Sequence, residues 1–60
     1  MEISELYDQL ENAIADRDVC ARMIANAVVA SAKPAPITTR DYVEAVERVK
    51  QLRAEIEASR

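Results

Sequence analysis

The two prolines of this chain, Pro34 and Pro36, stand two positions apart, and its 60 residues include no glycine. A proline inside a helix removes a backbone hydrogen bond and clashes with the preceding turn. Glycine is the other common residue that weakens a helix. Both kinds of interruption are therefore confined to one short stretch, and a long uninterrupted segment lies on either side of it.

Each segment carries its apolar residues at helical spacing. Ile3, Tyr7, Leu10, Ile14, Arg17, Ala21, Ile24 and Val28 alternate steps of four and three, which is the seam of a helix packing at a shallow angle. Leu6, Ala13, Cys20 and Ala27 flank that seam and widen it. After the prolines, Tyr42, Ala45, Val49, Leu52 and Ile56 repeat the pattern, broadened by Val46. The fold class is all-α: an antiparallel helix-loop-helix forming one domain over residues 1–60. Helix 1 is expected over about residues 3–32, a proline loop over 33–37, and helix 2 over about 38–58.

Local signals support these limits. Ser4 can cap helix 1, and Glu2, Glu5 and Asp8 suit the positive end of its dipole. Lys33 is turned away from helix by Pro34, and its charge suits a helix C-terminus. Thr38 followed by Asp41 gives a variant capping box, and Ile37 and Tyr42 occupy the positions of a hydrophobic staple. A Pro-x-Pro segment can also serve as a ligand for an SH3-type groove. Between two helices it is expected to act as a stiff connector.

Size then becomes a constraint. A chain this short buries only about 60% of its unfolded surface and usually needs a staple. Cys20 is the single cysteine and there is no histidine. An internal disulfide is excluded, and a zinc site of nitrogen and sulfur ligands finds no ligand set. Association is the remaining device. Helix 1 should span roughly 42 Å and helix 2 roughly 31 Å. Folded back from Pro34, helix 2 is expected to reach only to about residue 12. Ile3, Leu6, Tyr7 and Leu10 would then overhang, each large aliphatic forfeiting about 1.5–3 kcal/mol if left in water. From Val19 to Ala32 helix 1 is apolar almost all round, with Val19, Met23 and Val29 outside the seam. A helix apolar on several faces packs on several faces. Ile3, Leu6, Tyr7, Leu10, Val19, Met23 and Val29 are therefore the candidate oligomer interface. The preferred arrangement is a dimeric four-helix bundle with the apolar half of helix 1 at its centre. A larger ring or a hetero-complex meets the same physical demand.

Chemistry is sparse. Arg17 occupies a seam position, where it could grip an anion or a partner carboxylate. The plainer reading is an ion pair with Asp16, Asp18 or a glutamate of the facing helix. Asp16, Arg17, Asp18 and Arg22 form a charged waist that can fix register. Val43, Val46, Lys50 and Arg53 align as a second, partly apolar stripe able to receive a partner helix. The acidic start of helix 1 should lie towards Lys50, Arg53 and Arg60 in an antiparallel hairpin. Cys20 has no base to activate it and reads as a small core thiol. Tyr7 is a plausible interface anchor. No phosphate loop, dinucleotide fingerprint, metal box or catalytic triad is present, and no cofactor is implied.

Eleven acidic against eight basic residues give a formal charge of -3. That balance disfavours a dedicated nucleic-acid binder. The acidic N-terminus does not read as a secretory signal, and the apolar run is too short and polar to cross a bilayer. With one free thiol, the expected compartment is the cytoplasm. The expected function is a small non-enzymatic binding protein, a regulator, inhibitor or adaptor of the kind common among phage and bacterial accessory proteins. It would act as a homo-oligomer, most simply a dimer, and bind another protein. The alternatives are a ligand or nucleic-acid binder using the charged waist (Arg17, Arg22) or the basic strip of helix 2 (Arg40, Arg48, Lys50, Arg53), and a helical assembly or secretion chaperone completed by a client segment.

Overall fold

The computed structural model describes residues 2–60. Two helices fold back on each other: α1, Ile3–Val29, and α2, Pro36–Ala58. Among the described residues there is no strand. The all-α antiparallel hairpin expected from spacing is the observed fold. α1 runs unbroken through Asp16, Arg17 and Asp18.

The helix ends differ from expectation, each for a local reason. α1 begins after Glu2, whose carbonyl accepts from the amides of Glu5 and Leu6 at 3.1 and 3.2 Å. No side chain caps it, so Ser4 lies inside the helix. At its other end α1 stops at Val29, three residues before the expected Ala32. Ser31 takes φ 58, the left-handed region. Its amide donates to the Val28 carbonyl at 3.0 Å, and that of Ala32 donates to the Ala27 carbonyl at 2.8 Å. This pair of bonds is a Schellman closure, built on serine where glycine is usual. Lys33 lies beyond the last turn and not within it.

α2 starts two residues early, with Pro36 as its first residue and Ala35 as its N-cap. Proline fits that position because its fixed φ is helical and its missing N–H has no partner there anyway. Thr38 is therefore not the cap. It sits inside the first turn, buried, and no side-chain cap bond forms. The staple shifts out of register with it, and Ile37 is left 56% exposed.

These shifts overturn the expected overhang. α1 ends three residues early and α2 gains a half-turn at its start, so the last residues of α2 reach the first turns of α1. Leu6 shares a small cleft with Glu55, Ala58 and Ser59. Leu6 and Ala13 pack with Val49, Leu52 and Ile56, and Leu10 and Ile14 lie against that cluster. Leu52 is the most enclosed residue, 1% exposed. Leu6 is thus a core residue and not part of an open interface.

The seam of α1 is also rotated. The inward positions are Leu6, Leu10, Ala13, Arg17, Cys20, Ile24 and Ala27, all buried or half-buried. Ile3, Tyr7, Ala21 and Val28, expected inside, are exposed. Two physical reasons favour the rotation. Ala13, Cys20 and Ala27 are small and let α2 approach closely. Tyr7, moved to the edge, keeps its hydroxyl within reach of water. On α2 the expected seam holds: Ala45, Val49, Leu52 and Ile56 are buried and Tyr42 and Val46 half-buried.

Candidate interaction surfaces

With one side of each helix taken by the hairpin contact, two long sides of the molecule remain. The first is a groove of about 580 Å³. α1 lines it with Gln9, Asn12, Asp16 and Val19, and α2 with Asp41, Glu44 and Arg48, over a floor that includes Ala13, Cys20 and Ala45. Its walls carry the carboxylates of Asp16, Asp41 and Glu44 and the Arg48 guanidinium, while apolar surface makes up more of its lining than polar. The Arg48 guanidinium donates to Gln9 Oε1 across it at 2.9 Å. Met23 follows Val19 by one helical turn and extends an apolar edge of this side towards the loop.

The opposite flanks of the two helices share the other side. Helical periodicity places Ile3, Tyr7, Leu10, Ile14, Ala21 and Val28 there from α1, across the seam from Gln9, Asn12 and Asp16. From α2 it places Tyr42, Val46 and Arg53, with Val43 and Lys50 at the outer edge. Ile3, Tyr7, Val28 and Val43 are exposed, and Leu10, Ile14, Tyr42 and Val46 half-buried. On α1 this side is apolar along its length; on α2 it is apolar at Tyr42, Val43 and Val46 and charged at Lys50, Arg53 and Glu57.

The candidate interface residues are thereby divided. Ile3, Tyr7 and Leu10 fall on the apolar side, together with Val43, Val46, Lys50 and Arg53 from the expected second stripe. Val19 and Met23, both about half exposed, fall on the groove side. Val29 lies in the last turn of α1 and is 85% exposed. Ile14 and Tyr42, half-buried at positions their spacing predicts as inward, also border the apolar side. Their spacing from Tyr7 and Val46 is the sequence signal for that border.

The charged waist is local. Arg17 Nε and Nη donate to Asp18 Oδ1 at 3.3 and 3.2 Å, with the Arg17 side chain 31% exposed. Arg22 is exposed. The other ion pairs, Arg40 with Glu44, Lys50 with Glu47 and Arg60 with Glu57, stay within α2 or its end. Among the described residues no ion pair joins the two helices, so the attraction expected between the acidic start of α1 and Lys50, Arg53 and Arg60 is not made as contacts. No group of three or more metal-ligating side chains is assembled among the described residues. No helix among them is long and apolar enough to cross a membrane.

In class the chain is a two-helix hairpin with two open long sides, a groove edged by carboxylates and an opposite side that is apolar along α1. No family model matches it, and neither a curated protein nor a solved structure matches it.

Proposed function

We propose that the chain is a small non-enzymatic protein–protein interaction module, a regulator, inhibitor or adaptor, that works as a homo-oligomer and binds a further protein. One observation carries this reading: the hairpin exposes more surface than a self-sufficient protein of its mass. Its accessible surface is 4547 Å² for 6.7 kDa. The scaling followed by folded monomers gives about 3,900 Å² at that mass. Its radius of gyration is 13.8 Å, against about 10 Å for a compact domain of this length. The excess surface includes large apolar side chains on both open sides, Tyr7 and Val43 on one and Val19 and Met23 on the other. Contiguous apolar surface of this kind marks association sites. Gripping an anion finds less support, because Arg17 is already engaged by Asp18.

The test is the solution mass by light scattering across a wide concentration range, with helicity and thermal melting recorded alongside. A helical oligomer whose melting temperature rises with concentration is the expected result. A helical monomer with a concentration-independent melt would overturn the reading.

A further inference from the structure

The apolar side of the hairpin has a shape, an area and a pair of charges that together select an occupant. We propose that it receives a second copy of this chain, related by a two-fold axis running along the hairpin, so that Glu11 of each copy meets Lys50 of the other. The proposal rests on the self-association reading above and adds the face, the axis and the register.

The area fits. The Cα extents of the molecule are 45 by 14 by 13 Å, so a long side is about 45 by 14 Å in outline. That is on the order of 600 Å² before side chains widen it, close to the roughly 800 Å² per partner of a standard interface. The surface excess over a compact monomer is also roughly 600 Å². One face covered by one copy therefore brings the chain back to ordinary compactness.

The chemistry of the face fits a two-fold contact with itself. Its centre offers Leu10, Ile14 and Val46, all half-buried, the first two packed against the core. Tyr7, 45% exposed, stands beside them as the large amphipathic residue favoured at interface centres. A two-fold interface needs a surface complementary to itself, and an apolar strip meets that demand.

The charges choose the axis. The bond from Arg48 to Gln9 and the groove floor shared by Ala13 and Ala45 fix the register of the two helices. In that register Glu11 lies level with Val46 and Glu47, and Lys50 lies about one turn nearer the termini, both on the outer edges of the apolar side. Helical side chains lean towards the N-terminus of their helix, so Glu11 and Lys50 lean towards each other's level. Glu11 is exposed and has no basic partner among the described residues. Lys50 is held only loosely, 3.9 Å from Glu47, with its side chain 71% exposed. When two hairpins face each other about an axis along their length, α1 of one lies beside α2 of the other, antiparallel and level. All neighbours in the resulting four-helix bundle are antiparallel. Glu11 then faces Lys50 of the second copy, and symmetry repeats the pair. An axis across the hairpin would instead set Glu11 against the loop half, and neither pair would form.

Equilibrium sedimentation or light scattering on six chains tests this, with helicity recorded for each. The wild type is expected to be a dimer. Tyr7→Glu should raise its dissociation constant by about thirtyfold or more. Glu11→Lys and Lys50→Glu should each raise it by about tenfold, because each turns two symmetry-related attractions into repulsions. The double exchange should return it to within about threefold of wild type. Met23→Glu, on the groove side, should leave it within about twofold. The charge variants alter exposed residues, so the test stands even if Tyr7→Glu folds poorly. A dimer insensitive to Tyr7→Glu but lost with Met23→Glu would overturn the chosen face while leaving self-association intact. Single charge reversals without effect, or a double exchange that fails to rescue, would overturn the axis. A trimer or larger assembly would overturn the two-fold arrangement. A wild type that stays monomeric would remove the proposal together with the reading beneath it.

Discussion

At the terminal end of the hairpin, Leu6 and Ala13 close on Val49, Leu52 and Ile56. At the loop end, Val19, Met23, Val28, Val29 and Ile37 stay exposed, although the loop-end half of α1 is the more apolar half. The buried apolar residues all lie towards the termini, and the loop end buries only Thr38. The difference lies in what each half faces. Opposite the terminal half, α2 presents aliphatic side chains at every inward position. Opposite the loop half it presents Thr38 and Tyr42, flanked by Arg40, Asp41 and Glu44. Burial follows from pairing apolar surface with apolar surface. A rich apolar run gains nothing from a poor neighbour.

The largest expected effect is a core truncation that breaks the closed end. Leu52→Ala should cost about 2–5 kcal/mol, enough to unfold much of so small a domain at room temperature. Met23→Ala, at the open end, should cost no more than about 0.5 kcal/mol. Urea denaturation followed by circular dichroism measures both. Equal costs would mean that the loop end is packed in solution, and so covered by another molecule.

Hydrogen exchange sharpens the same contrast residue by residue. The amides of Ala45 to Ile56 and those of Leu6 to Ile14 should be the slowest in the chain. Those of α1 beyond Cys20 and of the first turns of α2 should exchange at least about tenfold faster, since local opening follows local packing. Protection that is uniform along α1 would contradict a hairpin closed at one end only.

Much of this architecture was legible in the sequence. The paired prolines and the absence of glycine located the single break, and the spacing of Tyr42, Ala45, Val49, Leu52 and Ile56 named the inward face of α2. α1 was harder because it is apolar on more than one side. Two seams, one led by Tyr7 and one led by Leu6, fit its pattern equally well in one dimension. The choice between them depends on how closely α2 can approach, and that is a property of Ala13, Cys20 and Ala27 acting together against a partner. The helix ends were misjudged for a related reason. Lys33, Thr38 and Asp41 carry good local signals, but the chain closes α1 with Ser31 in a conformation that favours glycine, and starts α2 on Pro36. Those two choices moved the turn and removed the overhang. The apolar side emerged only once the groove had shown which flanks face each other.

The turn itself offers a smaller effect of opposite sign. Ser31 holds φ 58, where a side chain costs about 1–2 kcal/mol relative to glycine. Ser31→Gly should stabilise the hairpin by about 1 kcal/mol, after the greater freedom of glycine in the unfolded chain is deducted. The gain should appear as a raised urea midpoint with an unchanged slope. Because the turn joins the open end, the same variant should slow exchange at Asn26 to Ala32 more than at Leu52. A midpoint that falls would mean that the Schellman closure at Ser31 does not form.

The smallest expected effect tests whether any polar contact shares the work of the core. Arg48 reaches over the groove to Gln9 at 2.9 Å, within the closed end. Both side chains are accessible to water, so the bond replaces solvent contacts of similar strength. Its net contribution should be about 0.5 kcal/mol or less. Gln9→Ala alone would also disturb whatever else Gln9 touches, so the clean measurement is a double-mutant cycle with Arg48→Ala. A coupling energy near zero to about 0.5 kcal/mol agrees with a hairpin held by Leu6, Leu52 and Ile56. A coupling above about 1 kcal/mol would make the groove wall a structural clamp. The contrast between the two ends would then rest on polar register as well as on apolar pairing.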